Sequence, residues 1–262
     1  MDAAIKPDKI GVKAVDTALS VLETVAFSSK PLGVTQLAAA VGLTKSAIFR
    51  HLVTLVERGF LVQDESSRYE LGPKAFLIGR LAPATSDIVS IARDSMRIAR
   101  DLTGLAVVIS APSSQGVFVL ETLHGTMAIE IGVRPGSYLP YYSSAQGKVF
   151  LAFGSKDLME SIRPPDLRKL TPHTIVDMER LRKELARVRA QGYAVAPEEA
   201  LLGVNTLAAP VFNHENKLVA AVAFVGSIQH VRAEPSDEQI AAIRELSGAV
   251  SRKLGNGMAR LT

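Results

Sequence analysis

A lysine, a serine, a phenylalanine and an arginine lie close together in one short segment, "LTKSAIFRHLVTLVERG" (43–59). Lys45 and Arg50 have the chemistry to bind phosphate groups or guanine edges. Ser46 can exchange a hydrogen bond with either group, and the ring of Phe49 can pack against a thymine methyl. This combination of side chains favours a surface that binds double-stranded DNA.

The charge around this segment points the same way. No Asp or Glu occurs between Glu23 and Glu57, whereas Lys30 lies in that interval with the two cations above. An acid-free stretch favours a positive potential, which attracts phosphate. A solvated helix face, or a surface that binds another protein, is the alternative that these residue types leave open.

Two amphipathic helices are predicted in the residues that precede this segment. Residues 15–29 place apolar side chains at helical spacing, and Pro31 follows them as a helix breaker. A second helix is expected within 33–43, with Thr35 as its N-cap and Gly42 where the chain must turn sharply. A helix, a short turn with glycine and a further helix form the helix-turn-helix pattern.

The third helix begins at Thr44, a residue that can cap it. Its apolar residues recur at helical spacing and predict a face that packs on the first two helices: Ile48, Leu52, Leu55 and Val56. Two short β-like runs, 60–63 and 68–71, flank a polar turn and predict a β-hairpin, the wing of a winged helix. The residues predicted to contact DNA are Thr35, Gln36, Thr44, Lys45, Ser46, Phe49, Arg50 and Arg68.

The rest of the chain alternates predicted helices and strands. The predicted helices are 72–82, 86–104, 143–154, 177–192 and a last helix whose capping box pairs Ser236 with Gln239. The predicted strands are 105–112, 116–123, 127–133, 202–212 and 218–227. The pattern predicts an α+β chain: a winged helix-turn-helix domain at 1–72, a linker helix at 73–83 and an antiparallel-sheet domain at 84–262.

The composition is that of a folded protein with two domains. The chain has 262 residues, of which 47% are hydrophobic and 21% are charged, with a formal net charge of +4. It has no cysteine, which excludes disulfides and thiolate metal sites. No apolar run approaches the ~20 residues of a membrane span, and the N-terminus lacks a signal pattern. We therefore expect a cytoplasmic protein with no membrane partner.

Motifs of catalysis are missing from the sequence. It contains no nucleophile elbow, no Walker loop and no metal-ligand spacing. Its scattered histidines include His124, His173, His214 and His230. The adjacent Glu198 and Glu199 are expected to point to opposite sides, as structural or solvated carboxylates rather than a catalytic pair. We expect no enzyme, no metal and no cofactor.

Small apolar side chains and a helix start define a second candidate site. Ala223 and Val225 fall on one face of the predicted strand 218–227. The segment Ser144–Gly147 enters a helix, where unpaired amides attract a carboxylate. Apolar walls with an anion-binding end suit an organic acid. The alternative is that these residues are ordinary core and bind no ligand.

The segment 43–72, "LTKSAIFRHLVTLVERGFLVQDESSRYELG", resembles the N-terminal domain of the IclR-type transcriptional regulators. That family reads Leu-x-Lys-Ser-Thr-x-x-Arg-x-Leu through its recognition helix, and Ala47 replaces the usual Thr, which puts one DNA contact in doubt. The likeness continues through 139–152, 191–212 and 218–227. It implies a winged helix, a linker helix and a GAF-like α/β effector-binding domain, assembled as homodimers or as dimers of dimers.

The resemblance also bears on the ligand. Members that bind very small oxo-acids such as glyoxylate hold the carboxylate on the helix-start loop and the other end with polar residues. Of the four matching positions here, only Thr206 keeps a hydroxyl, because the others are Ala196, Ala223 and Val225. The stretch "LPYYSSAQG" is close to the form in members that control aromatic-acid catabolism.

A regulator of a catabolic operon is therefore expected, whose binding to a double-stranded DNA operator responds to a small organic acid, with an aromatic or otherwise apolar body favoured. The predicted effector-binding residues are Tyr142, Ser144, Ala145, Gln146, Gly147, Ala196, Thr206, Ala223 and Val225. The alternative is a metabolic enzyme or an interaction module that uses the winged helix for protein contacts.

Overall fold

The chain folds into two compact units that divide between residues 83 and 84. The structure, a computed structural model, describes residues 12–28, 30–81, 85–128 and 130–257. The predicted boundary at Pro83 and the end of the predicted linker helix lie outside the described residues. Helices combine with antiparallel sheets in both units, which confirms the predicted α+β class.

The first unit has three helices that pack together, a fourth helix at its end and a small sheet. Its helices are α1 (Lys13–Ala26), α2 (Val34–Val41), α3 (Lys45–Glu57) and α4 (Pro73–Leu81). Its strands are β1 (Leu32–Gly33), β2 (Leu61–Gln63) and β3 (Arg68–Leu71), in the order β1-β3-β2 with antiparallel pairs. The predicted wing is thus the hairpin β2–β3, and β1 adds a third strand to it.

The core of this unit lies between α1, α2 and α3. Val21, Leu37, Ile48 and Leu52 are fully buried and belong to one apolar cluster. This confirms the predicted inner face of α3, on which Leu55 is also buried. Burial of one such side chain stabilises the fold by about 1.5–3 kcal/mol, so this face fixes the orientation of α3.

One predicted cap is wrong. The N-cap of α2 is Gly33, whose backbone amide donates to Oε1 of Gln36 at 3.0 Å, so Thr35 lies inside the first turn. Val34 packs on the core and is the first residue of α2, one position before the predicted cap. The physical reason is that glycine at an N-cap costs only a few tenths of a kcal/mol relative to a hydroxyl residue, and the Gln36 side chain at N3 accepts from the Gly33 amide.

The second unit is built on one antiparallel sheet with helices on both faces. Its strands are β4 (Ala106–Ser113), β5 (Gly116–Leu123), β6 (Tyr138–Leu139), β7 (Ala194–Val195), β8 (Val204–Phe212) and β9 (Leu218–Ser227). Their order is β6-β5-β4-β9-β8-β7, with all pairs antiparallel. Its helices are α5 (Thr85–Thr103), α6 (Ala145–Phe153), α7 (Lys156–Ser161), α8 (Met178–Gln191) and α9 (Asp237–Lys253).

Alternation along β9 separates the two layers of helices. Val222 and Phe224 face α5 and α9, where they join a cluster with Met96 and Ile243. Ala223 faces the opposite side, in a cluster with residues of α6 and α8. Because successive side chains of a strand point to opposite faces, each layer of helices covers one set. The predicted face of small apolar residues is confirmed.

A predicted strand at 127–133 is wrong. Residues 126–128 bend and residues 130–134 have no regular structure. The carboxylate of Glu130 accepts from the Gly125 amide and contacts the His124 ring, which folds the segment back on itself. Ile131 and Val133 then pack on the sheet face that carries Ala106 and Val225. The apolar residues therefore form a cover over the sheet, although their alternation is typical of a strand.

No single helix in the described part of the chain is long and apolar enough to cross a membrane, although the bent pair Val34–Val41 and Lys45–Glu57 passes that test by length and composition alone.

Candidate nucleic-acid interface and effector site

The turn between α2 and α3 is set by two residues. Gly42 has a φ of 75°, in the left-handed region that favours glycine, and its amide donates to the Ala38 carbonyl at 3.0 Å. Thr44 has extended backbone angles, and its hydroxyl accepts from the Ala47 amide at 3.3 Å. Together these residues end α2, start α3 and fix the bend between the helices at 110°.

The outer face of α3 carries the side chains predicted to contact DNA. Lys45, Ser46 and Arg50 are exposed, and 53% of the Phe49 surface is open to solvent. The exposed ring of Phe49 lies on the same helix face as the cations and is open to contact by a partner. The face therefore presents two cations, a hydroxyl and an aromatic ring together.

The remaining predicted DNA contacts lie around this face with different environments. Thr35 and Gln36 are exposed in the first turn of α2, where the Gln36 carboxamide is held by its bond to Gly33. Arg68 is exposed at the first position of β3, and its amide donates to the Asp64 carboxylate at 2.9 Å. The wing turn thus includes an acid beside Arg68, which weakens its local positive potential.

The predicted apolar walls of the effector site lie on one face of the large sheet. Ala223 belongs to a cluster with Tyr142, Ala145 and Ala196. Val225 lies two residues further along the same face, in a neighbouring cluster with Ala106 and Val108. Leu139 packs against both clusters, so the two form one continuous apolar surface.

The predicted anion-binding loop is partly used by its own cap. The Ser144 hydroxyl accepts from the Gly147 amide at 3.1 Å and donates to the Pro140 carbonyl at 2.7 Å. The amide of Gly147 is therefore occupied, which corrects the expectation that every amide of the loop is unpaired. The amides of Ala145 and Gln146 are in the first turn of α6, where a helix offers no acceptor of its own.

Gly147 allows the chain to pass very close to the preceding loop. A Cβ added there would come within 2.6 Å of the Tyr141 carbonyl carbon, against an optimal carbon–carbon separation of about 3.5–4.0 Å. Only glycine permits this approach. Gly147 therefore sets the position of the start of α6 relative to the loop that contains Tyr141.

The other predicted effector residues have backbone or wall roles. The Tyr142 hydroxyl donates to the Arg168 carbonyl at 2.9 Å and accepts from the Arg168 amide at 3.0 Å, so its polar end is occupied. Ala196 is buried, and its amide donates to the Asn205 side chain at 3.2 Å. Thr206 is half-buried and pairs with Val225 across the strands.

Three polar side chains on this side of the sheet are buried without a partner. Among the residues that the structure describes, none forms a hydrogen bond with the Ser110 hydroxyl, the Ser143 hydroxyl or either polar atom of the Gln146 carboxamide. Each such atom costs about 1–3 kcal/mol if nothing satisfies it. Sequence reasoning missed Ser110 and Ser143, although a serine inside the apolar run "AVVISA" is a detectable signal.

The buried side chain of Lys148 connects α6 to β7 and to two carboxylates. The Lys148 ammonium is 1% exposed, donates to the Val195 carbonyl at 3.0 Å, and contacts the carboxylates of Glu184 and Glu199. Val195 ends β7 and is next to Ala196, so this bond joins α6 to the strand that precedes one predicted wall residue. Sequence reasoning expected Glu198 and Glu199 to diverge. Glu199 is buried, while Glu198 accepts from the Gly203 amide at 2.8 Å.

The two carboxylates beside Lys148 titrate in opposite directions. Burial raises the pKa of Glu199 above its ordinary value, and the nearby Lys148 offsets only part of that rise. Burial also acts on Glu184, but hydrogen bonding from Arg187 and the charges of Lys148 and Arg187 outweigh it, so its pKa is lowered. Lys148 therefore has one strongly anionic partner and one that holds its proton more readily.

Two cavities of the second unit differ in their relation to this site. One of about 270 Å3 lies beside Val225 and Ala106, under the cover formed by Met127 and Ile131. A larger groove of about 910 Å3 is not lined by any of the predicted effector residues. Of the predicted effector residues, Val225 lines the smaller cavity, and Ala223 lies two residues away on the same sheet face.

No group of three or more potential ligands that could hold a metal ion occurs in the described part of the chain. The scattered histidines agree with this, since His173 and His230 contact nearby side chains on their own.

Comparison with protein families matches both units. The family described as "IclR helix-turn-helix domain" matches residues 14–65, and "Bacterial transcriptional regulator IclR C-terminal" matches residues 82–252. A curated relative, the HTH-type transcriptional regulator BhcR of Paracoccus denitrificans, is 30% identical over 254 residues, which cover 96% of this chain and 89% of the relative.

Solved structures share the fold over nearly the whole chain. An IclR transcriptional regulator from Alicyclobacillus acidocaldarius has a TM-score of 0.74 at 27% identity, covering 94% of this chain and 100% of that one. An IclR homolog from Microbacterium hydrocarbonoxydans, complexed with 4-hydroxybenzoate, has a TM-score of 0.75 at 21% identity. That match covers 92% of this chain and 99% of the other, and it supports the fold alone.

Proposed function

We propose, because this chain belongs to the IclR family of bacterial transcriptional regulators, that a small organic acid with an apolar body controls its binding to operator DNA. The family and the relatives are DNA-binding regulators of transcription and not enzymes, which confirms those two expectations. The proposal adds the class of effector, the residues that contact it and a catabolic operon as the target, with the bacterial cytoplasm as the place of action.

The exposed face of α3 supports the assignment of the DNA contacts. Arg50 and Lys45 are available for base edges and phosphates, and Phe49 for a thymine methyl. Thr35, Gln36 and Thr44 stand at the starts of α2 and α3, where helix N-termini favour phosphate oxygens.

A gel shift with the intergenic DNA upstream of the protein's own gene tests this half of the proposal. We expect a complex that competitor DNA of random sequence does not displace, and that weakens as salt rises. An interaction module or a metabolic enzyme, the alternatives from another class, would give no sequence-specific complex. That outcome would contradict the assignment of the α3 face.

The apolar face of Ala223 and Val225 is the observation that carries the effector proposal. Both side chains are buried on the same side of the sheet, and Ala196 extends the wall. A tiny polar acid would leave these walls without a matching group, whereas an aromatic ring would cover them. The first-turn amides of Ala145 and Gln146 are the proposed partners of the carboxylate.

A known complex of a relative agrees with this class of ligand. The IclR homolog from Microbacterium hydrocarbonoxydans binds 4-hydroxybenzoate, an aromatic acid. Its identity to this chain is 21%, so the agreement motivates the choice of probes and does not carry the proposal.

Calorimetry on the full chain tests the effector class with benzoate and glyoxylate. Burial of a ring removes on the order of 100 Å2 of apolar surface from water, about 2.5 kcal/mol at 25 cal/mol/Å2. We therefore expect benzoate to bind nearly two decades more tightly than glyoxylate. Val225→Ser should reduce this preference, because it places a hydroxyl without a partner against the ring. Tighter binding of glyoxylate would contradict the proposal.

Assembly into homodimers or dimers of dimers is part of the same proposal. In the first unit, α1 exposes Val15 and Leu19, and α4 exposes Leu77 and Ile78. Apolar residues at this exposure suit contact with a second copy of the chain. Light scattering coupled to size exclusion should give two or four times the 28.0 kDa of one chain, and a single-chain mass would contradict this part.

A further inference from the structure

The carboxamide of Gln146 shares a face of α6 with residues that pack on the sheet. Gln146, Val149 and Phe153 recur at helical spacing, which places them on one side of the helix. Val149 belongs to the cluster of Ala223, and the Phe153 ring lies 6.0 Å from that of Phe212 on β8. The Gln146 side chain therefore faces the sheet beside the proposed apolar wall.

Gln146 is 1% exposed, and neither its Nε2 nor its Oε1 has a partner among the described residues. Two fully buried hydroxyls in the same region, those of Ser143 and Ser110, are also without a partner. Ser143 lies on the loop that enters α6, and Ser110 pairs in register with Ala221, on the sheet face of Ala223. Buried polar groups are almost always satisfied, so this group calls for a ligand or ordered water.

The donor and acceptor inventory of these groups restricts what can satisfy them. A carboxylate only accepts, so it can bond with Nε2 of Gln146 or with a serine hydroxyl but leaves Oε1 without a donor. A hydroxyl on the ligand both donates and accepts and can therefore bond with Oε1. An ammonium group would donate too, but these three side chains offer no charge to balance it.

We propose that Gln146, together with Ser110 and Ser143, selects an effector that carries a hydroxyl group in addition to its carboxylate. The effector class is then a hydroxylated apolar acid, in preference to the same acid without the hydroxyl. The inference rests on the proposed function, because it assumes that an organic acid occupies this face of the sheet.

Calorimetry on the full chain with benzoate and its 2-, 3- and 4-hydroxy derivatives tests the inference. At least one hydroxybenzoate should bind roughly tenfold more tightly than benzoate, because a polar site discriminates against a ligand that leaves its groups unpaired. Gln146→Met, a change of similar volume, should remove this preference, so that the hydroxybenzoate loses more affinity than benzoate does. Ser110→Ala should reduce the preference in the same direction.

Circular dichroism melting of both variants shows whether they fold, and Ser110→Ala serves if Gln146→Met does not. If no hydroxybenzoate binds better than benzoate, or if the variants weaken both acids equally, the inference is overturned and the proposed apolar acid site stands. If no aromatic acid binds although the protein still shifts its operator, the effector part of the proposed function fails, and the inference fails with it.

Discussion

Arg50 and His51 are neighbours in the sequence but differ in what they can touch. Arg50 is exposed on the outer face of α3, whereas His51 is half-buried between that face and the core. Arg50→Ala should weaken operator binding by about 1–3 kcal/mol if the guanidinium bonds with a base edge. His51→Ala is the matched control and should change binding much less.

Fluorescence anisotropy with labelled upstream DNA measures both affinities under one salt condition. Equal losses for the two substitutions would mean that a different face of α3 docks on the DNA.

Glu199 gives the fold a pH dependence of defined sign. Burial raises its pKa above the ordinary 4.5, so the folded state holds this proton to a higher pH than the unfolded chain does. The resulting stabilisation is present at low pH and is lost as pH rises through the raised folded pKa. Glu199→Gln removes the titration, while Glu184 remains in both proteins and its opposite contribution largely cancels.

Denaturant unfolding followed by circular dichroism, from pH 4.5 upward, measures this difference. The free energy of unfolding of the wild type minus that of Glu199→Gln should fall as pH rises. A difference that grows with pH would show that Lys148, and not burial, dominates the pKa of Glu199.

Single residues were predictable where local chemistry decides their role. Thr44 and Ser236 cap their helices as expected, because a hydroxyl before an apolar run has few other uses. Thr35 was misassigned because α2 begins one residue earlier, at Val34, with Gly33 as its N-cap and the Gly33 amide bonded to the Gln36 side chain. The unpartnered state of Gln146 depends on contacts between α6 and the sheet, which no local pattern encodes.

At the scale of elements, the start of α6 depends on Gly147. A methyl group there would collide with the Tyr141 backbone, so Gly147→Ala must shift the loop 141–144. We expect a loss of about 1–3 kcal/mol in the free energy of unfolding, as for overpacking, and a loss of benzoate binding.

Gly79→Ala is the matched control for this substitution. Gly79 is also helical, and a Cβ added there meets no atom within 4 Å. Its substitution should be neutral or stabilising by about 0.5–1 kcal/mol, because alanine favours a helix. Thermal unfolding followed by circular dichroism compares the stabilities of the two variants. Equal changes in the free energy of unfolding would show that the close approach of Gly147 to Tyr141 does not matter for stability.

Elements with strong local signals were predicted well, and those set by tertiary contacts were not. The hairpin β2–β3 and the long strands β8 and β9 follow from alternation and polar turns. The segment 127–133 has the same alternation but no strand to pair with, and Glu130 folds it over the sheet instead. The short strands β1 and β7 are too brief to leave a pattern and exist only through their partners.

In the whole molecule, a helix-turn-helix unit is followed by an IclR C-terminal unit, for which we propose an acid effector. The order of the two units was predictable, since a helix-turn-helix pattern precedes a run of alternating strands and helices. The class of effector stays a prediction. The apolar residues proposed as its walls are visible in the sequence, whereas the unpartnered state of Ser110, Ser143 and Gln146 emerges from burial in the fold.

Regulation requires that the effector change the affinity for DNA, and coupling of this kind is typically about 1–3 kcal/mol. The direct measurement is an anisotropy titration of the labelled upstream DNA with the full chain, without acid and with a hydroxybenzoate at a concentration that saturates the protein in calorimetry. We expect the acid to change the apparent Kd for DNA by at least about fivefold. An unchanged Kd with the acid bound, or no specific DNA complex in either titration, would contradict it.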